Sequence, residues 1–194
     1  MTREEMLRRL KKTLTSQRYA HTLGVEETAV RMARALGADE AKASVAALLH
    51  DCAKCCSLQE MHAYIQNDSV AQTVDMSMRA SGALMHGPAG AARARQEYGV
   101  EDPEVLHAIR YHTTGCADMS TLDKIIYLAD MVEPGRRSFP GLAELRALCE
   151  TDLDAAMRMA LQSSADHVKA NRQTLHADTQ RALETLTRQE GPNG

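Results

Sequence analysis

Apolar residues recur at three- and four-residue spacing through most of the chain, and no strand-length stretch alternates strictly. Such spacing predicts amphipathic helices, and the polar residues between them supply the expected starts and stops. Thr2 with Glu5 forms a capping box ahead of a segment reaching about residue 14. Val25, Ala29, Met32 and Leu36 make one stripe of a helix from about Gln17 to Leu36, stopped by Gly37. Asp39 caps a third segment that ends in LLHD, and Ser57 with Glu60 starts LQEMHAYIQ. Residues 67–82 carry the weakest pattern and read as loop with a short helix. Pro88 is placed as the first residue of a helix through Tyr98, ended by Gly99. Asp102 and Pro103 open PEVLHAIRYH, which Gly115 follows. Ser120 and Asp123 open LDKIIYLADMVE, which Pro134 and Gly135 stop. From Leu142 to about Arg188 the chain reads as two or three helices with polar joints. The fold class expected is all-α, one domain over 1–194 with a short polar end at about 188–194.

Composition sharpens this picture. At 194 residues the chain can bury a real core. Aromatics are only 3% of it, so the filling must come from aliphatic residues and eleven methionines, which suits helix-on-helix packing. A net charge of −3 argues against a general nucleic-acid binder. Any polyanion bound here would be small and held by a few placed cations. MTREEMLRRLKK has no apolar stretch of signal-peptide length, and no run approaches the ~18 apolar residues of a membrane span. Cysteines 52, 55, 56, 116 and 149 form an odd count with three crowded together, which suits reduced thiols in a cytoplasm. Cys52 and Cys55 match C-x-x-C, yet no second pair completes a zinc site, so they read as bystanders.

The polar residues beside apolar stripes carry the candidate chemistry. His21 lies early in the second helix, His50 and Asp51 end the third, His86 is placed just ahead of a helix N-terminus, and His112 closes its helix. Asp130 is flanked by Ile125, Ile126, Leu128 and Met131, where a carboxylate is costly to desolvate without a cation or strong donors. Each histidine alone reads as an ordinary hydrogen-bonded core or rim residue. His50 and Asp51 project about 100° apart, so the two can serve one shared site. Imidazole and carboxylate without thiolate suit iron, manganese or a similar ion rather than a closed structural zinc site.

The ordered set His21, His50-Asp51, His86, His112, Asp130 resembles the HD superfamily of metal-dependent phosphohydrolases. RYAHTLGV, AALLHDCAK, LMHGPAGA, AIRYHTTG and LDKIIYLADMVEPGR are similar to the bacterial YqeK-type symmetrical bis(5′-nucleosyl)-tetraphosphatases, over about residues 18 to 185. The resemblance implies a helical HD bundle that cleaves diadenosine tetraphosphate into two nucleoside diphosphates. It implies one ion on His21, His50, Asp51 and Asp130, with Asp51 bridging to a second held by His86 and His112. The metal implied is iron, with manganese or another divalent ion as alternatives. Two ions about 4 Å apart can acidify a bridging water and bind the attacked phosphoryl oxygens, so hydroxide would be the nucleophile.

Lys54, about one helical turn beyond His50 and Asp51, is the expected phosphate-facing and catalytic cation, against a solvated lysine as the plain alternative. Arg136 and Arg137 follow the EPG turn and could clamp phosphate, with Arg136 favoured. Arg110 is expected on an exposed helix face, and Asp123 is equally a helix cap or a support for the site. Base stacking would have to use Tyr19, Tyr111, Tyr127, Phe139 or arginine planes. The alternatives kept open are HD hydrolysis of a nucleoside monophosphate or guanosine tetraphosphate-type alarmone, and a non-catalytic nucleotide sensor. The partners expected are a small nucleotide, no nucleic acid and no membrane, with a homodimer open.

Overall fold

In the computed structural model the described residues are 1–66, 68–69 and 74–188, and among them there are eleven helices and no strand. They are α1 Arg3–Thr13, α2 Ser16–Ala35, α3 Glu40–Leu49, α4 Leu58–Gln66, α5 Met76–Arg79, α6 Gly82–Tyr98, α7 Pro103–Tyr111, α8 Thr121–Val132, α9 Leu142–Thr151, α10 Leu153–Ala170 and α11 Ala177–Arg188. The expected all-α class is what forms, and the C-terminal third divides into three helices. The polar end at 188–194 falls outside the described residues beyond Arg188, as do 67 and 70–73 within the weak stretch.

The caps act where the sequence places them. Thr2–Glu5 and Ser120–Asp123 are closed capping boxes, and Asp39 and Asp102 each accept two backbone N–H groups at a helix start. Gly37, Gly99 and Gly115 take the left-handed conformation after their helices. No described helix is long and apolar enough to cross a membrane.

α6 differs from expectation. It begins at Gly82, so Pro88 lies inside it and His86 is a helical residue rather than the residue before a helix. A proline in a helix interior costs about 3 kcal/mol through the lost N–H and the clash with the preceding turn. Here the turns before it bury Met85 and His86, and the helix is buried on all sides from Met85 to Ala94. Burial worth about 1.5–3 kcal/mol per large side chain outweighs the proline. Tertiary packing thus decides what local propensity alone would not.

Alanines at 89, 91, 92 and 94 let neighbouring helices come close to α6. Gly87 marks the tightest approach: a Cβ there would stand 2.5 Å from the Arg110 carbonyl oxygen of α7. That closeness of backbones sets His86 against His112, each one or two residues from the contact. The main core lies among α2, α3, α7 and α8, around Leu48, Leu49, Ile109, Ile125, Ile126 and Leu128. A smaller cluster of Met61, Ile65, Met78 and Met85 packs α4 and α5 on α6.

Candidate metal centre

Five elements aim polar groups at one point between α2, α3, α6, α7 and α8. After α3 the chain does not enter a loop but tightens into turns, with Cys52 N–H bonded to Leu49 O and Lys54 N–H to Asp51 O. Arg93 of α6 donates to Cys52 O at 2.8 Å and holds that turn in place. His50 and Asp51 are thereby fixed at the end of an apolar helix, both buried.

The six residues singled out as ligands come together. His21 Nε2 stands 2.9 Å from Asp130 Oδ1, and His50 Nε2 is 3.6 Å from Asp51 Oδ2 and 3.8 Å from Asp130 Oδ1. His86 and His112 place their Nε2 atoms 3.0 Å apart, at 3.3 and 3.6 Å from Asp51 Oδ1. Asp51 therefore faces both halves of the cluster, one through each oxygen.

The outer ring nitrogens explain the aim. His50 Nδ1 donates to Ala47 O at 2.6 Å and His112 Nδ1 to Ile109 O at 2.7 Å, each three residues back on its own helix. His21 Nδ1 faces Glu133 Oε1 at 3.1 Å. An acceptor at Nδ1 assigns the proton there and leaves the Nε2 lone pair pointing inward, the arrangement of a metal-ligating imidazole. Nε2 of His21, Nε2 of His50 and Oδ1 of Asp51 are buried and make no hydrogen bond. Each unsatisfied group costs about 1–3 kcal/mol, and cations held among His21, His50 and Asp130 and among His50, Asp51 and His112 would satisfy all three. The donor set fits an ion that takes nitrogen and oxygen ligands.

The protonation preferences agree. Burial lowers the pKa of His50 and brings that of His86 down to about 4, which keeps both imidazoles neutral and available as donors. Burial pushes Asp51 and Asp130 upward, but the surrounding histidines, with Arg136 beside Asp130, outweigh it and hold both carboxyls below the ordinary range. His21 is raised against burial because Asp130 and Glu133 both face it. Negative charge is in excess on that side, as a cation site requires.

Three cations border the centre. Lys54 Nζ is 3.0 Å from His86 Nε2 and 4.0 Å from Asp51 Oδ1, and burial together with Arg18 and Arg136 lowers its pKa. Arg136 reaches to 3.5 Å from Asp130 Oδ1. Arg18 of α2 donates to Asp51 Oδ2. Thr113 Oγ1 lies 3.0 and 3.1 Å from the Nε2 atoms of His86 and His112. These groups open onto an inner cavity of about 350 Å³ whose far wall is Tyr127, Met131 and Ser164. A neighbouring outer cavity of about 680 Å³ lies between the first turns of α2 and the loop after α8. Arg18 and Arg136 line both, whereas Arg137 lines only the outer one.

Other expectations resolve differently. Arg110 is buried, not exposed, with its guanidinium over the Tyr111 ring at 4.7 Å, because α7 is covered on that side. Asp123 closes its capping box and pairs with His107, and it lines neither cavity. Of the aromatic residues considered for stacking, Tyr127 lines the inner cavity, its hydroxyl 3.0 Å from Ser164 Oγ. Cys52 is buried against Gly90 O with its thiol pushed up to about 12 by burial, and Cys55 is exposed.

The ligand pattern in the sequence does not single out Arg18, Glu133 or Thr113, which the fold brings to the centre. Arg18 lies three residues before His21 and Glu133 three after Asp130, so helical spacing alone sets each beside a ligand candidate. Glu133 also accepts from Gly135 N–H, and a Cβ on Gly24 would stand 2.6 Å from its Oε2, so the carboxylate is held in a close-fitting slot. Glu133→Gln is expected to weaken metal retention about 10–100-fold, measured by competition with a chelator, because it removes the charged partner of His21.

The HD domain model matches residues 18–135, the span that holds all six donors. Symmetrical bis(5′-nucleosyl)-tetraphosphatases of Halalkalibacterium halodurans and Bacillus subtilis are each 41% identical over 92% of this chain and 94% of their own. A crystal structure from Clostridium acetobutylicum, described as a predicted HD superfamily hydrolase involved in NAD metabolism, superposes with a TM-score of 0.92. It is 36% identical and covers 98% of this chain and 99% of that one. Matched over 92% of its length in sequence and 98% in fold, this chain belongs to the HD-domain family and, within it, to the symmetrical bis(5′-nucleosyl)-tetraphosphatases.

Proposed function

We propose that this protein hydrolyses diadenosine tetraphosphate and related dinucleoside polyphosphates symmetrically, adding water between the two central phosphates to release two nucleoside diphosphates. The observation that carries the reading is the convergence of six nitrogen and oxygen donors, four of which, Asp51, His86, His112 and Asp130, line one cavity with Lys54, Arg18 and Arg136. The likeness to enzymes of that name over 92% of the chain supports the choice of substrate.

His21, His50, Asp51 and Asp130 would hold one ion and Asp51, His86 and His112 a second; iron is our assignment, with manganese or another divalent ion as alternatives. When bound, the ions supply Lewis acidity, acidifying water and neutralising charge on the attacked phosphoryl group. The rest falls to the chain. Glu133, Ala47 O and Ile109 O keep three imidazoles turned inward. Lys54, from its half-buried position, meets the charge that develops on the departing diphosphate oxygen. Arg136 binds phosphate at the border of the two cavities, and Arg137 extends that positive rim. Tyr127, Met131 and Ser164 close the inner cavity toward α10. The thiols are all unpaired, which suits a reducing compartment, and we assign the protein to the cytoplasm.

A panel of nucleotides at equal concentration tests the substrate class. Diadenosine tetraphosphate is expected to turn over at least tenfold faster than nucleoside monophosphates or guanosine tetraphosphate. Preference for either of those favours another HD hydrolase, and absence of turnover on every member favours a sensor.

A further inference from the structure

We propose that the outer cavity is a second seat for a nucleoside diphosphate, and that Arg18, on the wall shared with the inner cavity, grips the central phosphates between the two seats. The inference rests on the symmetrical tetraphosphatase reading and extends it to how the two halves of the substrate are housed.

Such a substrate consists of two equal halves, and the phosphorus attacked belongs at the donor cluster. One half must therefore run to each side of that cluster. The inner cavity, at about 350 Å³, is near the lower end of the range for a single small-molecule site, so it accommodates one half. The outer cavity, at about 680 Å³, adds room for the other without any movement of the helices. The two are not remote, because Arg18 and Arg136 belong to both linings.

The lining suits the ligand. Ala20, Leu23 and Pro134 offer an apolar wall for a base, and Glu27 offers an acceptor for ribose hydroxyls while disfavouring phosphate at its end. Arg18 and Arg136 belong to the wall shared with the inner cavity, beside the donor cluster. Phosphate to the inside and nucleoside to the outside is the orientation this polarity selects.

Arg18 is built for the junction. It projects from the first turn of α2, one helical turn before His21, and its side chain is 34% exposed and lines both cavities. Its guanidinium donates to Asp51 Oδ2, the carboxylate that a cation would also claim. A cation on Asp51 would free donors of the guanidinium fork, which can then address phosphate oxygens in bidentate fashion.

Calorimetric titration of ADP into the metal-loaded protein tests the second seat. The wild type is expected to bind close to two ADP per chain. Ala20→Trp, which fills the outer cavity from an exposed position, is expected to bind close to one, with unchanged metal content and a KM for diadenosine tetraphosphate raised about tenfold or more. Arg18→Ala is expected to weaken both ADP sites and raise the same KM, again with metal retained. One ADP per chain in a wild type that still makes ADP from diadenosine tetraphosphate overturns the second seat alone. Two ADP per chain in Ala20→Trp overturns it also. A wild type that forms no ADP overturns the tetraphosphatase reading and this inference with it.

Discussion

Asp51→Asn is expected to abolish turnover of diadenosine tetraphosphate, by about 10⁴-fold or more, and to strip the centre of metal. The size of the effect follows from position. Asp51 presents a carboxylate to both halves of the cluster, with Oδ2 toward His50 and Oδ1 toward His86 and His112. An amide of the same shape keeps the packing but replaces one oxygen by a donor and removes the negative charge. The His86 and His112 half is then left with no carboxylate, and the His21 and His50 half keeps only Asp130. Arg18 loses its partner as well, yet the surrounding core of α3 and α8 is apolar and intact, so the variant should still unfold cooperatively. Elemental analysis of the purified proteins reads the result: close to two ions per chain in the wild type and far fewer in the variant. A variant that keeps its metal and turns over normally is incompatible with the site as described.

Lys54→Met is expected to lower kcat about 10²–10³-fold while leaving the metal in place, which separates it from the first variant. Lys54 is held by the turn after α3, and its ammonium reaches His86 Nε2 and, farther off, Asp51 Oδ1. Burial and two guanidinium neighbours already disfavour its charge. A phosphate chain in the cavity relieves exactly that repulsion, so the lysine has more to gain from a substrate than from solvent. Methionine preserves the stem and removes the charge, and the loss should fall on kcat more than on KM if the group acts on the departing diphosphate. Near-normal kcat would return Lys54 to its plain role as a solvated lysine at a helix end.

The sequence carried a great deal of this, and the misses have physical causes. Capping residues are local, so Thr2, Asp39, Asp102 and Ser120 could be read as starts without knowing the fold. The start of α6 could not, because Pro88 argues locally for a helix beginning there and only the burial of Met85 and His86 overrides it. Arg110 failed for a similar reason: a charged residue reads as exposed until the helix covering it is known. Arg18 and Glu133 had a local signal, three residues from His21 and Asp130, but their partners Asp51 and His21 lie 33 and 112 residues away in the chain. Helical spacing gives the face; only the packing of α2 on α3 and α8 gives the partner. The two cavities, and the guanidinium pair they share, belong wholly to that packing.

The central claim is that water enters between the two middle phosphates of a dinucleoside tetraphosphate at this centre. Chromatographic separation of the products of diadenosine tetraphosphate, from metal-loaded protein in a single time course, tests it most directly. ADP as the sole nucleotide product, two for each substrate consumed, is the predicted result. ATP together with AMP would contradict it, because those products place the cut beside a nucleoside rather than at the centre.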